Sequence, residues 1–210
     1  PQGDAIDISG GNVGTQLRNN IIVVTNGTAI SIANDSQTGF LSDYNLFDVT
    51  GSGAAGNWQG IARTGLTDWR SASGTDANSL SGNPDFVSPS GADGVLGYGS
   101  ATADGSDDDL HEQSTTASFH GGSLAPAIDP ATGLPMLLTA TPTQDRVESP
   151  AIDRGAATDP VGAEPTPNGG YVNIGAYGGT AQASESPAQY ILVLTPAQGV
   201  TLQQDTTATV

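Results

Sequence analysis

The densest group of ionisable side chains in this sequence is Asp104-Gly105-Ser106-Asp107-Asp108-Asp109, with Asp93 upstream and His111 and Glu112 immediately after. Carboxylates close in sequence and interrupted by glycine suit a hard, oxygen-seeking cation, so Asp104, Asp107, Asp108 and Asp109 are the candidate metal ligands and calcium the ion that fits them. The spacing departs from an EF-hand loop. A solvated acidic loop accounts for the same residues. Trp58 and Trp69 are the only tryptophans and the candidate glycan contacts, since an indole offers a flat face to a sugar ring. Covering the flank of an apolar core is the competing role for both.

Other chemistry is poorly supplied. Eliminating or epimerising an acidic sugar needs a base and a positive charge against the sugar carboxylate. The sequence has no lysine, and its five arginines, Arg18, Arg63, Arg70, Arg146 and Arg154, are scattered. Glycoside hydrolysis needs two carboxylates a few ångströms apart. Asp7, Asp35 and Asp43 suit one face of a repeated structure, and turn positions explain them equally well. His111 and His120 are the only imidazoles, too few at this spacing for a histidine-based zinc site. The runs Gly51-Ser52-Gly53 and Gly169-Gly170 lack the Gly-Lys-Ser/Thr ending of a phosphate loop. No catalytic residue is singled out.

Composition narrows the partners. Five basic against 22 acidic residues give a formal charge of −17 over 210 residues, which excludes sequence-independent nucleic-acid binding and disfavours anionic lipid. No apolar run approaches a membrane span, so membrane insertion is not expected. Cysteine is absent, removing disulfides, thiolate metal sites and thiol nucleophiles together.

The elements that must position these groups are strands. Ile21-Ile22-Val23-Val24, Ile30-Ser31-Ile32 and Tyr190-Ile191-Leu192-Val193-Leu194 are short β-branched or aliphatic runs bounded by Gly, Asn, Asp or Pro. Asp outnumbers Glu 18 to 4, which favours turns over helices. Only Leu66-Thr67-Asp68-Trp69 reads as a helical turn, with Thr67 or Asp68 as its cap. Gly3-Asp4-Ala5-Ile6-Asp7-Ile8 aligns with Gly27-Thr28-Ala29-Ile30-Ser31-Ile32 at an offset of 24, and the same offset places Leu17 on Leu41, Ile22 on Leu46 and Val23 on Phe47. A period near two dozen residues suits one coil of a parallel β-solenoid, whose inward ladders would be Ile6/Ile30, Ile8/Ile32 and Leu17/Leu41. A β-sandwich with recurring strands is the alternative. Pro126-Ala-Ile-Asp129 recurs as Pro150-Ala-Ile-Asp153, either a further coil echo or two similar turns.

Leu17-Arg-Asn-Asn-Ile-Ile22 and Asp43-Tyr-Asn-Leu-Phe47 resemble coil motifs of secreted right-handed parallel β-helix proteins, the pectin-lyase-like group. Asp76–Phe86 resembles the segment closing their last coils, and Ser149–Gly155 with Pro167–Gly179 their C-terminal signature. The resemblance covers most of residues 15–187 and implies an all-β fold: a right-handed parallel β-helix (β-solenoid) over 1–86, with loop-rich C-terminal coils and a cap over 87–187. Residues 188–210 read as the first strands of an immunoglobulin-like β-sandwich, too few to bury a core alone. Both ends look cut, so the expectation is a fragment of a longer polypeptide with further domains, or a chain that stacks on a partner. The resemblance also implies secretion or a cell-surface location. The expected role is a non-enzymatic structural or adhesive segment touching polysaccharide or a neighbouring surface protein. A polysaccharide lyase, epimerase or hydrolase with catalytic coils upstream is one alternative, and a self-assembling surface subunit the other.

Overall fold

The computed structural model describes residues 3–100, 105–121, 124–131, 133, 135–137 and 140–187. Strands dominate it and α-helix is confined to one short element, so the class is all-β. The expected sandwich strands after 187 lie outside the described residues. No helix among the described residues is long and apolar enough to cross a membrane.

The first 81 residues build three parallel sheets from a strand pattern that recurs along the chain. β1 (Ile6–Ile8), β4 (Thr28–Ile32) and β7 (Ala54–Trp58) form the first; β2 (Gln16–Arg18) and β5 (Leu41–Asp43) the second; β3 (Ile21–Val24), β6 (Leu46–Val49) and β9 (Leu80–Ser81) the third. Ile6 pairs with Ile30 and Ile8 with Ile32, as the repeat predicts. The other two ladders run one residue differently: Leu17 lies opposite Ser42, not Leu41, and Ile22 opposite Phe47, not Leu46. The cause is the corner after β4, where a 3₁₀ turn at Asn34–Ser36 makes the connection to β5 one residue longer than the one between β1 and β2. Because strand side chains alternate in direction, that residue turns Leu41 outward (57% exposed) and buries Ser42.

The narrow interior holds Ile8, Ile22, Val24, Ile30, Ile32, Phe40 and Phe47. In the third rung the partner of Ile30 is Gly56. The Trp69 ring lies where a Cβ on Gly56 would project. Trp69 is carried by α1 (Leu66–Ser73), which follows the short antiparallel strand β8 (Ile61–Arg63). The helix is two turns long rather than one. Gly65 is its extended N-cap, in place of the expected Thr67 or Asp68, and Gly74 stops it at φ 72°. Leu66 and Trp69, three apart, are its buried face. Trp69 is fully buried, edge-on to Trp58 at 5.9 Å and to Phe40 at 6.3 Å, and donates its indole N–H to Asp76 at 2.7 Å. It therefore has no face to offer a sugar. Trp58 is half-buried and packed on the same core. Trp69 thus covers the flank of the core, with Trp58 packed beside it.

The second half is antiparallel. β10 (Phe86–Ser88) pairs with β11 (Asp109–Glu112), β12 (Ser118–Gly121) with β15 (Ala140–Thr143), and β13 (Leu124–Ile128) with β14 (Pro135–Leu137). The two Pro-Ala-Ile-Asp segments are thus not equivalent, since Ala151–Asp153 is a buried turn while Pro126–Ile128 belongs to β13. Within the loop-rich region expected over 87–187, β11 and β12 are strands, and the tail of the acidic cluster is a strand with Asp109, His111 and Glu112 buried.

Gly56→Ala should cost about 2 kcal/mol by forcing the indole of Trp69 out of its place, read as a lowered urea midpoint by tryptophan fluorescence. An unchanged midpoint would mean that Trp69 does not close the interior.

Candidate functional site

Along β2 and β5 the outward residues are Gln16 and Arg18, facing Leu41 and Asp43. These floor a groove of about 350 Å³, walled on one side by Gly74–Ala77 after the helix and on the other by Ala156 and Thr158, with Tyr44 also lining it. Tyr44 has φ 56° and Asn19, its neighbour on the paired strand, φ 58°, a left-handed corner repeated at the same place in both sequence repeats. The corner is held from inside. Asn45 accepts from the Asn20 backbone and side chain at 3.0 and 2.9 Å, and its own N–H donates to Ser79 Oγ at 2.9 Å.

The charged groups of the groove are already committed. Arg18, 57% exposed, pairs with Asp159 at 3.1 Å. The Asp43 carboxylate accepts from the Asn78 backbone and side-chain amides, both at 2.7 Å. Asp76 is buried and accepts from Trp69, from Ser42 at 2.9 Å and from Ser79 at 2.6 Å. The arrangement presents hydrogen-bonding edges and a tyrosine beside an exposed leucine. That suits holding a hydroxyl-rich ligand more than moving a proton.

Its far wall belongs to a segment that packs against the third parallel sheet. Leu46, Ala151 and Ile174 form a second apolar cluster, joined by Ile21 and Leu80. β3 and β6 are therefore covered on both faces. Asn19 is the pin: its side chain donates to Asp159 at 2.7 Å and accepts from the Ala156 N–H at 2.8 Å, while its carbonyl accepts from Gly175 N–H at 3.0 Å.

Of the sequence-predicted acidic ligands, the described Asp107, Asp108 and Asp109 each meet different partners. Asp107 accepts from the backbone N–H groups of Ala92 and Asp93 at 2.6 and 3.1 Å. Asp108 accepts from Gly97 N–H at 2.7 Å. Asp109 accepts from His111 Nδ1 and Gly121 N–H, at 2.7 and 2.6 Å. Asp104 lies outside the described residues. Among the described residues no three His, Cys, Asp or Glu side chains form a group able to hold a metal ion. Burial alone would push the Asp109 carboxyl up, but the His111 and Gly121 hydrogen bonds outweigh it and hold it below the ordinary value. Ser118, His120 and Asp145 are adjacent but are no catalytic relay. One histidine nitrogen, Nε2, meets both Ser118 and Asp145 at 3.0 Å, and Ser118 donates directly to Asp145.

A buried polar cluster missed by sequence reasoning lies under the turn Asn173–Gly179. His111 stacks on Tyr177 at 3.6 Å and reaches Gln182 at 3.0 Å. Glu164 accepts from the N–H groups of Asn173 and Gly179, both at 2.8 Å. Glu112 has no exposure, and burial, opposed by its own backbone N–H and reinforced by Glu164 and Asp109, pushes its carboxyl up to about 8. Glu164 is also raised, by burial and then Asp153, against its two N–H donors.

The sequence matches no family model, no curated protein and no solved structure.

Ile174→Ala should cost about 3 kcal/mol. It should open residues 149–187 to limited proteolysis before β4 and β6 are cut. Cleavage in β4 or β6 first would contradict the packing role given to Ile174.

Proposed function

We propose that this chain is part of a right-handed parallel β-helix of the pectin-lyase-like kind, serving as a rigid structural or adhesive segment of an extracellular or cell-surface protein. Polysaccharide is held in the groove over β2 and β5. The observation that carries the reading is the set of three parallel ladders recurring at near-constant spacing, with isoleucine stacked on isoleucine. A chain that stacks its rungs this way is stiff along the stacking direction. The right hand follows from the general rule for crossovers between parallel strands. Strong acidity without lysine suits a saline exterior, where such charge is screened.

The binding role, in preference to an enzymatic one, is supported by the commitments of Arg18, Asp43 and Asp76. Each would have to leave a partner at 3.1 Å or closer before acting on a substrate. The experiment is affinity electrophoresis through gels containing neutral and acidic polysaccharides, run beside assays for unsaturated products and new reducing ends. Retardation without turnover is expected, weakened about tenfold in Tyr44→Ala, a change equivalent to ~1.4 kcal/mol. Turnover abolished by Asp43→Asn would establish the enzyme instead, and no retardation in any gel would remove the glycan role.

A further inference from the structure

The Asn173–Gly179 turn closes over two carboxylates from different parts of the chain. Glu164 is fixed inside it by the Asn173 and Gly179 N–H groups, which both bind Oε1. Glu112 comes from β11, and its Oε1 lies where a side chain on Gly175 would project. Gly175 has φ 118°, and its missing Cβ is what allows the carboxylate to enter the turn. Both Glu112 oxygens and Glu164 Oε2 are buried with no hydrogen-bond partner. Glu112 is completely shielded from solvent and Glu164 nearly so.

Three buried carboxylate oxygens without donors are costly. No lysine exists to compensate them. The other titratable groups at the turn do not help. Asp109 and Asp153 are acidic, His111 is engaged by Asp109 and Gln182, and Tyr177 is stacked on His111. Glu112 and Glu164 sit at the same turn, and the Glu164 charge bears on Glu112. A cation between the two side chains would offset both charges. The donor set is oxygen only, and the Asn173 carbonyl oxygen lies against Gly178 within the same turn. Calcium readily completes its shell from two carboxylates with main-chain carbonyls and water.

We propose that Glu112 and Glu164 bind a structural calcium ion that locks the Asn173–Gly179 turn onto β11. This site is separate from Asp107 and Asp108, whose carboxylates accept from Ala92, Asp93 and Gly97, and from the β2–β5 groove, and it stands independently of the glycan reading.

The test is equilibrium dialysis of the whole chain against calcium, with elemental analysis for stoichiometry, alongside thermal melts in calcium, in magnesium and in sodium of equal ionic strength. One calcium per chain is expected, with a saturable rise in melting temperature that sodium does not reproduce. Glu112→Gln and Glu164→Gln should each weaken binding at least about tenfold, with far-UV circular dichroism verifying their folds, whereas Asp107→Ala should leave it intact. Calcium-free wild-type protein after dialysis would overturn the proposal. So would binding that survives Glu112→Gln and is lost in Asp107→Ala, which would return the ion to the acidic loop.

Discussion

The structure depends most heavily on one buried carboxylate. Asp76 accepts from the Trp69 indole, from Ser42 and Ser79 hydroxyls, from Thr75 and from the Asn45 amide. Its backbone N–H donates to Ser42 C=O at 2.7 Å, and its carbonyl accepts from Arg70. These partners belong to the second sheet, the corner between sheets, the capping helix and the start of the third sheet's last strand. A charge taken out of water holds only when its oxygens are surrounded by donors, so α1 and the corner must form together. With Trp69 thereby fixed over Gly56, the interior closes at the third rung without a larger side chain there.

The same economy governs the outer face of the third parallel sheet. β3 and β6 bury isoleucine, leucine and phenylalanine on both faces, and the outer face would expose Ile21 and Leu46 unless something covered it. Ala151 and Ile174 do so, and Asn19, already held in a left-handed corner, spends its remaining hydrogen-bonding capacity on the covering segment. The groove is a by-product of this packing: it opens between the helix connection and the returning segment, over the second sheet. The second buried acidic centre, Glu112 with Glu164, ties the far end of the returning segment to β11. One carboxylate centre is saturated by protein donors; the other lacks them.

What the sequence made legible was whatever repeats by simple stacking. Ile6/Ile30 and Ile8/Ile32 follow from an offset of 24, because nothing between them changes length. Leu17/Leu41 failed since register beyond a corner depends on the corner, and one added residue near Asn34–Ser36 inverts which side chain faces in. The helix was visible as Leu66 and Trp69, yet its cap was invisible because a glycine N-cap offers no side chain to recognise. Asp107, Asp108 and Asp109 looked like one group on proximity alone. In a loop running into a strand, neighbouring side chains point apart, and each found a different backbone donor. Glu112 and Glu164 carried no local signal of being joined; the glycines at 175, 178 and 179 were the trace of a turn that admits them.

The central claim is the stacking register of the parallel rungs, and the absence of cysteine lets it be tested by cross-linking. Neighbouring parallel strands bring paired Cα atoms to about 4.8 Å, within disulfide reach. Asp7→Cys with Ser31→Cys, and Gln16→Cys with Leu41→Cys, join register partners whose side chains point outward. Both pairs should close within one chain on mild oxidation, while Gln16→Cys with Asp43→Cys, two residues out of register, should not. Failure of both register pairs, or efficient closure of the displaced pair, would contradict the stacked architecture.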